Sequence, residues 1–123
     1  MSLRSSLRGL FSKAYQQIDA VGAKARMDAG ATLLDVRDPQ EWAAGHAQGA
    51  RHIPLGQLPH RQRELRAGRP VITVCRSGGR SARAAALLAG GEREVLNLRG
   101  GMRGWQAAGL PVVGKGGRPG AVI

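Results

Sequence analysis

One stretch of this 123-residue chain gathers reactive side chains, Cys75-Arg76-Ser77-Gly78-Gly79-Arg80, and it holds the single cysteine of the sequence. A thiol is nucleophilic as its thiolate, and neighbouring arginines favour that charged form. Glycines let a loop turn its backbone N–H groups inward with no Cβ in the way. A helix expected over Ser81–Ala89 would bring free N-terminal N–H groups and a positive dipole end to the same place. Arg80, directly before that helix, is expected to reach back over a bound anion while its amide lines the cradle. Arg76 is expected to point toward the mouth. The reading is an ionised, nucleophilic Cys75 in a small anion cradle made of Arg76, Ser77, Gly78, Gly79 and Arg80. The competing reading is a buried, inert cysteine. Placement weighs against it: a packing cysteine would fit within the preceding apolar run, not at its end facing glycine and arginine.

That run, Val71-Ile72-Thr73-Val74, is β-branched throughout and apolar except for Thr73. It reads as a strand buried on both faces. Other elements follow from turn residues and apolar patterning. Residues 20–28 read as a helix stopped by Gly30, and Thr32–Val36 as a strand. Asp38 caps a short helix with Pro39 at its first position, ending at Gly45. Arg51–Pro54 is a brief strand, and residues 57–66 a helix carrying Leu58 and Leu65. Val95–Leu98 is a strand. Gly100-Gly101 turns into a short helix to Ala108, and Leu110–Val113 closes the pattern. Alternating strands and helices predict an α/β fold, one domain with a central parallel sheet flanked by helices on both faces. In such sheets ligands sit beyond the carboxyl ends of the strands, which singles out the loop after Val74.

The pattern divides the chain into a basic arm or first helix over 1–15, a domain over 16–114, and a loose Gly-rich tail over 115–123. In the arm, Leu3, Leu7, Leu10 and Phe11 recur at helical spacing among Arg4, Arg8 and Lys13. That composition also suits a membrane-surface segment or an organelle transit peptide. A frayed arm or a packed first helix is the simpler reading, with a cytoplasmic location.

Composition narrows the function classes. Hydrophobic residues make up 42% and charged residues 22%, the balance of a globular protein rather than a disordered one. No apolar run reaches the ~20 residues of a membrane span. One cysteine excludes an internal disulfide and a four-thiolate zinc site. The formal net charge of +11 favours anionic ligands of any size. Aromatics are only 3% of the chain, and the basic residues form no dense run, so no stable nucleic-acid complex is expected.

Beyond the loop, Asp35 and Arg37 lie two apart at a strand end and so point to one side. They either border the site or form an internal ion pair that fixes loops, for example Arg37 with Glu41. His46, His52 and His60 have no metal-ligand spacing, and His46 at its turn suits a structural hydrogen bond. Trp42 and Trp105 read as packing residues.

Several blocks together resemble the rhodanese family of sulfurtransferases. They are the Cys75–Arg80 loop, Leu33-Leu34-Asp35-Val36-Arg37, Glu41-Trp42, Gly45-His46, Gly49-Ala50 and Ile53-Pro54. Leu98-Arg99-Gly100-Gly101-Met102-Arg103-Gly104-Trp105, followed by Gly109-Leu110-Pro111-Val112, is similar to the family's closing pattern. Ala47 departs from it, where Ile or Val is usual after Gly-His. The resemblance implies a persulfide on Cys75, formed from thiosulfate or a similar small anionic donor and passed to cyanide, a thiol or a protein acceptor. It implies Arg80 and Arg76 as donor-binding residues, and no metal or organic cofactor. A monomer or weak dimer is expected. Cys-dependent phosphatases and arsenate reductases are the nearest competing enzymes, but their loops place one residue more between Cys and Arg than the four here. A non-catalytic docking module of the same family is the other alternative, weakened by the presence of Cys75.

Overall fold

The computed structural model describes residues 14–123, so the basic arm lies outside the described residues except for Ala14 and Tyr15. The chain runs β1 (Gln16–Ile18), α1 (Ala20–Asp28), β2 (Thr32–Asp35), α2 (Pro39–Ala44), β3 (His46–Ala47), β4 (Arg51–His52), α3 (Leu58–Arg61), β5 (Val71–Val74), α4 (Gly79–Leu88), β6 (Val95–Leu98), α5 (Gly101–Ala107) and β7 (Val112–Val113). Five strands form one parallel sheet in the order β1-β6-β5-β2-β4. The β-branched run Val71–Val74 is its middle strand, and all four of its residues are buried.

Successive strand residues face opposite sides, and the core divides accordingly. Leu34 and Val71 pack with Leu58, Leu65, Ala84, Ala85 and Leu88 on the face that α4 covers. Leu33, Ile72 and Val74 pack with Ala20, Ala23, Met102 and Trp105 on the face that α1 and α5 cover. The sheet is thus flanked by helices on both faces, as the alternation predicts. Two polar side-chain groups inside these layers are bonded to the backbone. Thr73 Oγ1 donates to Ser81 O at 2.9 Å, which ties β5 to the first turn of α4. Trp105 Nε1 donates to Pro111 O at 2.9 Å.

Three local expectations are corrected. The helix over 57–66 is a single α-turn, Leu58–Arg61, between 3₁₀ turns at Leu55–Gln57 and Gln62–Glu64. Its inward anchors, Leu58 and Leu65, are seven residues apart, too sparse for a continuous buried stripe. The tail is docked rather than loose. Ala121 N donates to Ala44 O at 2.9 Å, and Gly120 N to Val112 O at 2.9 Å. A Cβ on Gly120 would lie 2.7 Å from Gly45 Cα, so these backbones touch only because both residues are glycine. Val122 packs on the Trp105 face. Finally, α4 starts at Gly79 rather than Ser81, which rearranges the site. β1 and the antiparallel β3–β7 pair were not foreseen.

Candidate functional site

Cys75 follows β5 directly, at the carboxyl end of the middle strand. Gly78 takes φ +120°, a conformation that side chains rarely adopt, and lets α4 begin at the next residue. The unpaired N–H groups of this helix start therefore surround the sulfur. Gly78 N donates to Cys75 Sγ at 3.1 Å. Ser81 Oγ lies 3.3 Å from the same sulfur and 3.2 Å from Gly78 O, which competes for its one proton. The backbone of Ser77 and Ser81 also favours the charged form of the sulfur.

The loop carbonyls turn the other way, which explains how so many N–H groups face inward. Met102 N donates to Cys75 O at 2.8 Å, and Arg103 N donates to Arg76 O at 3.2 Å. These donors are free because they open α5. Gly101 makes the approach possible: at φ +59°, its Cβ would sit 2.5 Å from both carbonyl oxygens. Two helix starts thus share the loop, one facing the sulfur and one holding the backbone.

Cys75 is 1% exposed. Burial pushes its thiol up, but the Ser81 hydroxyl and the amides of Ser81, Gly78 and Ser77 pull harder, and the net is below the ordinary 9.0. The thiolate is favoured by fixed dipoles, and no side-chain cation hydrogen-bonds to Sγ among the described residues.

The arginines differ from expectation. Arg80 lies in the first turn of α4, not in the loop, and it projects from the helix flank toward α2 instead of over the cradle. Its Nη1 donates to Glu41 Oε1 at 2.7 Å and its Nη2 to Glu41 Oε2 at 2.9 Å, a fork-to-fork pair. The Arg80 hydrogen bonds hold the Glu41 carboxyl at about 2, against an ordinary 4.5. Glu41 in turn raises the Arg80 guanidinium, to which Cys75 adds a weaker charge effect. Arg76 is exposed, and its Nε donates to Ile123 O at 2.9 Å.

Asp35 and Arg37 form an internal pair, both wholly buried, with Arg37 Nη2 on Asp35 Oδ2 at 2.8 Å. The expected partner, Glu41, is on Arg80 instead. Arg37 Nη2 also donates to Gly45 O at 2.7 Å, so the pair pins the turn after α2. Its Nη1 is buried without a partner among the described residues. His46 Nδ1 lies 2.8 Å from Trp42 O, the structural hydrogen bond expected of it. Trp42 stacks on His46 and His52 with ring centroids 3.5 and 4.9 Å away.

The structure therefore brings Cys75, Ser77 and Gly78 together as the cradle and leaves Arg76 and Arg80 engaged at its rim. Two residues were missed. Ser81, six positions after the cysteine, was read as the start of the helix and not as a donor to sulfur. Glu41 was read only as a possible partner of Arg37. A separate cavity of about 300 Å³, lined by Lys24, Met27, Gln48, Trp105 and Pro111 among others, includes none of the loop residues. Among the described residues no His, Cys, Asp and Glu cluster could hold a metal ion. None of their helices is long and apolar enough to cross a membrane.

Comparison with known proteins agrees with this architecture. The rhodanese-related protein of Thermoplasma volcanium superposes with a TM-score of 0.75 at 30% identity, over 80% of this chain and 98% of that one. The thiosulfate sulfurtransferase GlpE of Pseudomonas putida is 40% identical over 83 residues, 67% of this chain and 76% of the relative. The Bacillus subtilis protein YqhL is 47% identical over 76 residues, which span 61% of this chain but only 60% of that protein. The family of rhodanese-like domains matches residues 19–108, most of the sequence, and the chain belongs to it.

Proposed function

We propose that the chain is a sulfurtransferase that carries sulfane sulfur as a persulfide on Cys75. The observation that supports this best is the sulfur's setting, with the Gly78 amide and the Ser81 hydroxyl on Sγ and the backbone at the start of α4 favouring its charge. Such a cradle stabilises a thiolate, and it can follow the negative charge outward onto a second sulfur. It is small, which suits one added sulfur atom. Membership in a family whose relatives include a thiosulfate sulfurtransferase agrees with the reading.

Thiosulfate or a similar small anion is the donor. The Cys75 thiolate attacks the outer sulfur of thiosulfate, and a sulfur–sulfur bond forms to Sγ. The bond from that sulfur to the sulfonate breaks, and its electron pair leaves with sulfite. The total charge of minus three is unchanged across the step. Cyanide or a thiolate then attacks the outer sulfur of the persulfide and restores the Cys75 thiolate. This is covalent catalysis in ping-pong order.

Intact mass after thiosulfate treatment tests it. The wild type should gain the mass of one sulfur atom and lose it on addition of cyanide, with thiocyanate formed. Cys75→Ala should gain nothing. No sulfur on the wild type, or Cys75-dependent release of phosphate from aryl phosphates in its place, would overturn the proposal.

A further inference from the structure

The rim of the cradle carries a cation that is already occupied. Arg80 is the arginine whose charge reaches Cys75, yet both ends of its guanidinium fork are on Glu41, at 2.7 and 2.9 Å. The carboxylate is held in place from its own side too. Glu41 sits three residues after Asp38, whose N–H donates to Glu41 Oε1 at 3.1 Å, and Pro39 stiffens the same turn. Its side chain is only 15% exposed, while Arg80's is 37% exposed. The second loop arginine, Arg76, is turned to Ile123 O. An anion arriving at Sγ therefore meets neutral dipoles, a neutralised arginine, and a fixed carboxylate behind that arginine.

Taking the sulfur-transfer reading as its basis, we infer that Glu41 is a positioning residue that sets donor choice by charge. By holding Arg80 it lowers the site's preference for a doubly charged donor such as thiosulfate relative to a singly charged one such as an aromatic thiosulfonate. Each donor gives up its outer sulfur to the Cys75 thiolate and leaves as sulfite or as the sulfinate, so the transferred atom is the same. Only the charge of the leaving half differs. The net charge at the mouth then decides the ratio of the two rates.

The experiment compares wild type with Glu41→Gln, which keeps the side-chain length and an oxygen for the Asp38 N–H. Rates of sulfur loading on Cys75 are measured with thiosulfate and with benzenethiosulfonate. Removing one negative charge near the mouth and freeing Arg80 should raise the thiosulfate-to-benzenethiosulfonate ratio about fivefold, and added salt should shrink the gain. A purely structural role for Glu41 would slow both donors alike and leave the ratio unmoved. Arg80→Gln, which leaves Glu41 uncompensated, should move the ratio the opposite way, and it serves if Glu41→Gln folds poorly. A ratio that stays unchanged in both variants, or that falls in Glu41→Gln, overturns the inference.

Alkylation of Cys75 by iodoacetate and by iodoacetamide keeps this test independent of sulfur transfer. The two reagents differ by one negative charge and need no persulfide. If the wild type takes up sulfur from neither donor, the sulfurtransferase reading fails. The iodoacetate-to-iodoacetamide ratio then still reports the charge at the mouth, and it should rise in Glu41→Gln. No rise in that ratio would overturn the role of Glu41 by itself.

Discussion

Two carboxylate–guanidinium pairs take their carboxylates from neighbouring elements, β2 and α2, and have opposite surroundings. Asp35 and Arg37 are both 0% exposed, and Arg37 is bonded in addition to the Gly45 carbonyl. Glu41 and Arg80 join α2 to α4 at the rim of the cradle, with Arg80 partly in water. The interior pair has no route to solvent, so each member depends on the other for its charge to be tolerated. The rim pair can exchange partners with an incoming ion at modest cost. The same two groups thus take two different roles according to burial, a fixed brace and an exchangeable neutraliser.

The brace should break hardest. Asp35→Asn keeps the shape but leaves the Arg37 charge buried and uncompensated, and the loss of stability should be about 3–5 kcal/mol. Urea unfolding of the variant checks this. A loss no larger than that of a surface substitution would show that water reaches Arg37 and that the two pairs are alike.

Sequence spacing does not decide which of these pairs form. Asp35, Arg37, Asp38 and Glu41 set three acids beside one base within seven positions, and spacing admits several pairings. Which one forms depends on Arg80, distant in sequence, and on where α4 begins. That start was misplaced because two adjacent glycines look alike in a sequence. In the fold Gly78 takes the positive φ and Gly79 is already helical, which carries Arg80 out of the loop. Elements with strong local signals were legible. β5 announced itself by four β-branched residues, and α2 by Asp38-Pro39. The two-residue strands β3 and β7 are too short for any period to show. The tail looked loose because its glycines suggest freedom. Gly114 and Gly120 instead provide close contact, each with a backbone atom as its nearest neighbour.

A second measurement sharpens the contrast by separating pair energy from the cost of an orphaned charge. A double-mutant cycle on Glu41→Gln and Arg80→Gln should give a coupling of about 1 kcal/mol or less, as for pairs in partial contact with water. The same cycle on Asp35→Asn and Arg37→Gln should give a clearly larger coupling, because each single change there strands its partner in the interior. Equal couplings would erase the distinction between brace and neutraliser.

The smallest expected effect is the response of the rim pair to acid. Glu41 has a folded value of about 2, depressed from 4.5 chiefly by the Arg80 hydrogen bonds. For an acid whose folded value is depressed, the stabilisation is complete above the unfolded value and is lost as pH falls toward the folded one. The window for Glu41 therefore runs from 4.5 down to about 2. Glu41→Gln cannot titrate there, so the stability of the wild type minus that of the variant isolates this carboxylate. The difference should hold steady from neutral pH to the top of the window and then narrow as acid is added. Screening of the partly exposed Arg80 limits the narrowing to less than about 1 kcal/mol. Urea unfolding of both proteins through the window reads it directly. A difference that stays flat would mean that Arg80 does not grip Glu41 in solution. The guanidinium would then be free for a donor from the start, and only the interior half of the comparison would stand.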